Sequence, residues 1–163
     1  MNPIQPKWYL VARKYLGVAE IVGPKHSSVI QKWLTDLKAW WKDDETPWCG
    51  VALAAWMQEA GFAYPKAYYR AKAWADWGAP CDPCFGAIAV YGRQGGGHVG
   101  IIVGINKAGN YMILGGNQSN KVSIVPISNS RLIAIRWPAE DEPVTMGTLP
   151  VYESAFELST NEA

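Results

Sequence analysis

The chain has 163 residues, 49% of them hydrophobic and 18% charged, with a formal net charge of +1 at pH 7. That is enough for one globular domain with a real core, and the sequence shows no repeat of solenoid length and no apolar run long enough to span a bilayer as a helix. All 15 Lys and Arg fall in residues 1–137 beside 8 acids, a net +7, whereas residues 138–163 carry 6 acids and no base.

The first eight residues, Met1-Asn2-Pro3-Ile4-Gln5-Pro6-Lys7-Trp8, lack the apolar core of a secretory signal, so synthesis without a signal peptide is expected. Helices are predicted over 8–16, 28–41, 47–60 and 66–77; in the second, Ile30, Trp33, Leu34, Leu37 and Trp41 share one face. Strands follow over 87–91, 99–105, 111–114, 122–126 and 132–137, and the turn-like Asn106-Lys107-Ala108-Gly109-Asn110 makes the second and third a hairpin. Helices first and strands after predict an α+β domain, with N-terminal helices packed on an antiparallel sheet of five to six strands. The domain is expected to occupy 1–138, leaving 139–163 as an acidic tail, extended on the surface or partly disordered.

Thr46-Pro47-Trp48-Cys49 carries helix start signals: Thr46 suits the N-cap and Pro47 the first helical position. Cys49 then lies in the first turn, where unpaired N–H groups and the positive end of the helix dipole favour a thiolate. Read alone, such a cysteine serves equally as a small buried hydrophobe. His98 changes the balance. It stands in Gly95-Gly96-Gly97-His98-Val99-Gly100, where glycines leave room for a substrate backbone beside an imidazole. The other histidine, His26, falls in a polar loop and reads as a surface residue. A third polar group is needed to hold the imidazole in one tautomer, and the hairpin returns to Gly115-Gly116-Asn117-Gln118. Asn117 is the expected one. Gln118 would point to the opposite face if the strand continued, and the same four residues also suit a plain turn.

These three motifs, in this order, resemble the NlpC and CHAP branch of papain-like cysteine peptidases, in particular compact phage endolysins. The likeness covers about residues 8–138, including Ala73-Trp74-Ala75-Asp76-Trp77-Gly78. It implies a papain-like fold and hydrolysis of an amide bond in the peptide part of peptidoglycan. Cys49 would be the nucleophile, His98 the base and Asn117 the orienting group. It further implies a monomer without cofactor or metal, made in the host bacterial cytoplasm and acting on the wall after release. Two departures stand out: Gly115 and Gly116 occupy the place where many CHAP members have a glutamate, and Ala87 follows Gly86 where relatives often have aspartate. Whether the bond cut would be an endopeptidase's or an amidase's stays open.

The basic body suits an anionic wall polymer; the basic residues are scattered and no nucleic-acid motif accompanies them, so nucleic acid is not the expected partner. Cys81-Asp82-Pro83-Cys84 has a zinc-like or redox-like spacing, but too few other ligands accompany it, and a local loop feature is expected. Nine Trp and eight Tyr keep a second class of function in view, a non-catalytic module that stacks glycan on aromatic rings. Tyr68, Tyr69, Trp74 and Trp77 are its candidates, while Trp33, Trp41 and Trp56 fall at core spacing. A thiol acyltransferase or toxin amidase is the third alternative.

Overall fold

A computed structural model describes residues 5–21, 27–41, 47–93, 96–141 and 149–153. Within them, helices α1 (Lys7–Arg13), α2 (Ser28–Asp36) and α3 (Cys49–Ala60) and a short 3₁₀ helix (Ala71–Asp76) precede the strands. The strands are β1 (Ala79–Pro80), β2 (Ile88–Arg93), β3 (Gly96–Asn106), β4 (Tyr111–Gly115), β5 (Ser123–Ile127), β6 (Leu132–Trp137) and β7 (Val151–Tyr152). They form one sheet in the order β1-β6-β2-β3-β4-β5, with β7 added to β3. Every pairing is antiparallel except β3 with β7. Helices on an antiparallel sheet are therefore present as expected, with β1 and β7 as additional short strands. No described helix is long and apolar enough to cross a membrane.

The central packing element is α3. Its residues 49–57 are all buried, and full burial of Leu53 and Met57 stabilises the fold by about 2 kcal/mol each. A helix so apolar on every side belongs between other layers rather than on the surface; α1 and α2 cover it on one side and the sheet on the other. It stops where expected, at Gly61, whose φ of 89° suits a residue without Cβ. Trp8 of α1 ties the helical layer to the sheet: its indole N–H donates to Gly86 O at 2.8 Å, and its ring meets Phe62 and Trp137 edge-on.

All four helices are shorter than predicted; α1 stops at Arg13 rather than at 16, and α3 starts at Cys49 rather than at 47. α2 ends at Asp36 because Lys38 turns into the left-handed region at φ 59°, which leaves Trp41 beyond the helix. Residues 66–70 form turns, and only Ala71–Asp76 is helical, as a 3₁₀ segment. Here tertiary contacts override helical spacing. The indole N–H of Trp74 donates to Tyr68 O, and the Tyr68 carbonyl lies where a side chain on Gly50 would be. The 66–70 segment thus lies directly over the start of α3.

The β3–β4 hairpin turns through Asn106, whose side-chain oxygen accepts from the N–H groups of Ala108 and Asn110. Part of the acidic tail is ordered against the sheet: Ile105 and Asn106 pair with Val151 and Tyr152, and Tyr152 packs against Gly104. Residues 142–148 and 154–163 of that tail lie outside the described residues.

Candidate active site

The helix that presents Cys49 starts two residues later than its signals predict. Cys49 is the first helical residue, and Trp48 is the N-cap, with no side-chain cap; the expected cap, Thr46, lies outside the described residues, as does His26. Trp48 can fill that place because it packs against the Trp33 ring and against Gly116, where an added Cβ would stand 2.8 Å from both Trp48 and Ala52. The bare backbone at Gly116 therefore lets the loop after β4 touch the first turn of α3. Cys49 is a free thiol, 5% exposed.

The sulfur's environment corrects one expectation. Burial pushes the Cys49 thiol above its ordinary value, outweighing the backbone N–H groups of Val99 and Gly50 and the Arg93 charge, all of which favour the thiolate. Desolvation wins because a sulfur nearly sealed from water loses more hydration than a few donors restore. Burial thus disfavours the thiolate, and attack by this sulfur is helped by a base that takes its proton. The helix that starts at Cys49 packs against β3, the strand that carries His98.

His98 is fully buried and faces Tyr91 across the β2–β3 ladder. Its Nε2 lies 2.8 Å from Gln118 Oε1. The orientation of that amide is fixed by its other end, where Gln118 Nε2 donates to Ile113 O at 3.1 Å and to Ser123 O at 2.7 Å. Two carbonyls must face the NH₂, so the amide oxygen faces the imidazole and His98 carries its proton on Nε2. Nδ1 is left as the basic nitrogen. This division of labour is what a thiol–imidazole pair requires.

Gln118, not Asn117, therefore holds the ring. The alternation that favoured Asn117 applies only while a strand lasts, and β4 ends at Gly115. Beyond it Asn117, Ser119 and Asn120 adopt left-handed φ of 59°, 55° and 63°. The loop thereby curls, and the longer side chain reaches back. Asn117 is buried, with its Oδ1 lacking a hydrogen-bond partner among the described residues; what it supplies is tolerance of the left-handed backbone. Gly115 completes the arrangement. A Cβ there would stand 2.6 Å from Gln118 Oε1 and 3.3 Å from His98 Nε2. The glutamate that the resembled family places in this stretch would have no room at Gly115.

A cleft of about 420 Å³ opens onto Cys49, lined also by Pro47, Tyr69, Arg70, Lys72, Arg93 and Gly97. Sequence reading did not single out its three cations, because they come from two separated segments and resemble the scattered basic surface. Of the aromatic candidates, Tyr68, Trp74 and Trp77 are buried and only Tyr69 borders the cleft exposed. Trp41 and Trp40 extend from Tyr69 as an edge-to-face series, with centroids 5.5 and 5.2 Å apart, and Trp40 is 88% exposed.

Cys81 and Cys84 are half-buried free thiols in contact. Cys81 donates to Cys84, which raises the first and lowers the second. Among the described residues no group of three or more His, Cys, Asp or Glu is placed to hold a metal ion. No protein-family model, curated protein or solved structure matches the chain.

Proposed function

We propose that the protein is a papain-like thiol hydrolase that cleaves an amide bond in the peptide part of bacterial peptidoglycan. The observation that carries this reading is the fixed imidazole: Gln118 accepts from Nε2 of His98, which leaves Nδ1 as the basic nitrogen, on the strand against which the Cys49 helix packs. A helix bearing the thiol at its start, packed on the strand that bears the base, agrees with the family the motifs resemble.

Attack begins when His98 Nδ1 takes the thiol proton as sulfur reaches the amide carbonyl. The Cys49 N–H, unused within the first helical turn, is a donor for the tetrahedral oxyanion. The imidazolium then protonates the departing amine, and water releases the acyl group from sulfur. Because burial disfavours the thiolate, general-base assistance belongs to the attack step itself.

Lysis of purified cell walls tests the assignment. The wild type should clear a wall suspension and Cys49→Ala should not; equal clearing by both would remove Cys49 from the mechanism. Mass analysis of the released fragments then separates endopeptidase from amidase. One observation favours a second reading, a wall-glycan binding module: the exposed rings of Trp40 and Tyr69, joined through the half-buried Trp41, are of the kind sugars stack on. Wall binding without lysis from either protein would support that reading over the hydrolase.

A further inference from the structure

The mechanism uses Cys49, His98 and Gln118 and leaves the charge of the cleft unexplained. Arg70 and Lys72 approach from the segment that covers the start of α3, and Arg93 comes from the end of β2. None of the described lining residues is acidic, and the ion pairs seen among the described residues, Lys14 with Glu59 and Lys32 with Asp36, do not involve them. The Lys72 stem passes beside Gly97, 3.0 Å from where a Cβ would be, so the glycine lets the lysine lie along the cleft wall. Arg93 Nε is buried with no hydrogen-bond partner among the described residues. Three like charges around one small opening repel one another, and an anion entering between them would relieve that repulsion and offer the buried Arg93 Nε an acceptor.

We infer that this cleft binds a carboxylate: Arg70, Lys72 and Arg93 select acyl substrates that carry a free carboxylate close to the bond attacked. The inference rests on the proposed role of Cys49 as the attacking group, and it names the substrate class of that same site. Guanidinium groups match a carboxylate in two-point fashion, and an ammonium adds charge without fixing direction. An amidated peptide of the same length would lose both contributions.

Alkylation of Cys49 tests the charge of the cleft without calling on catalysis. Iodoacetate and iodoacetamide differ in charge, and their rate ratio at Cys49, resolved by peptide mass spectrometry, is compared with the ratio for a small free thiol. The expected result is a ratio on the order of tenfold higher at Cys49, falling with added salt. It should fall well towards the free-thiol value in Arg70→Gln/Lys72→Gln, a variant that keeps only the Arg93 charge; its substituted residues are exposed and its thermal midpoint reports that the fold is kept. A ratio at Cys49 equal to the free thiol's, or one unchanged in the double variant, would overturn the inference. Glutarate should protect Cys49 from iodoacetamide better than inorganic phosphate at equal ionic strength; the reverse order would overturn the choice of carboxylate. In the second arm, wall-type peptides ending in carboxylate should be cleaved at least tenfold faster, in kcat/KM, than their carboxamides. Anion preference at Cys49 with cleavage of neither peptide would refute the hydrolase reading and uphold the anion-binding cleft, so the two ideas fail separately.

Discussion

Replacing Gln118 by Ala removes a side chain that connects the His98 imidazole to the β4–β5 hairpin. It leaves the ring N–H without its amide acceptor and the Ile113 and Ser123 carbonyls without the amide donor. Each such buried group costs roughly 1–3 kcal/mol, reduced where water enters the space left behind, so a stability loss of about 2–5 kcal/mol is expected. The effect on rate is a separate quantity. When His98 takes the thiol proton, its bond to Gln118 becomes charge-assisted, worth roughly 1.5–3 kcal/mol, and losing it lowers kcat by about 10- to 150-fold. Asn117→Gly is the matched control, since glycine accepts the φ of 59° at that position and makes no contact with the ring. Rates on wall peptides are measured well below each variant's thermal midpoint, and ¹⁵N chemical shifts of His98 report which ring nitrogen is protonated. Wild-type kcat and an unchanged tautomer in Gln118→Ala, with activity lost in Asn117→Gly, would refute the reasoning.

Gly115→Ala should cost stability by roughly 1–3 kcal/mol through overpacking and lower activity with it, because the new methyl meets the Gln118–His98 contact; urea titration and peptide cleavage check both. Burial raises the Cys49 thiol, so the fold prefers the neutral group. Its contribution is complete below the unfolded value near about 8.5 and is lost as pH rises from there through the folded value. Comparing the alkaline stability of wild type with Cys49→Ala should show a flatter decline in the variant. The Lys14–Glu59 contact lowers the Glu59 carboxyl and stabilises only above the unfolded carboxylate value near about 4.3, fading as pH falls through the folded one. Because both partners are substantially exposed, Glu59→Gln should cost less than about 1 kcal/mol, and added salt should erase the difference. Mild oxidation should join Cys81 to Cys84, whose thiols already touch, leaving a single alkylatable thiol at Cys49 by mass.

The long elements were legible because one signal dominates each. β6 has the bounds its apolar pattern predicts, 132–137, and α3 ends at the glycine that its sequence offers as a stop. The packing of the Cys49 helix against the strand that carries His98 was legible as well, since a helix start and a glycine-to-strand transition are local features. What failed depends on where a local rule stops applying. Alternation gave Asn117 because nothing in Gly115-Gly116-Asn117-Gln118 announces that the strand has ended, although an asparagine after two glycines is itself a left-handed signal. The helix expected over 66–77 gave way to turns because the Tyr68 carbonyl packs on Gly50, a contact invisible from spacing. The thiolate expected at the helix start was a dipole argument, and burial, which a sequence does not report, reversed it. The short β7 had no pattern of its own; it is defined by the open stretch of β3 beside Gly104.

Trp48 stands immediately before the thiol and is wedged between the Trp33 ring and the bare backbone of Gly116. The chemistry is thereby mounted on a wall that cannot be remodelled without dismantling the core. Arg70 and Lys72, also lining the cleft, are exposed at the surface, where their contacts with Tyr69 and Gly97 lie outside the core. Variation in what this protein accepts should accumulate there, and an engineer seeking a new preference can redraw that side while the reactive side stays as it is.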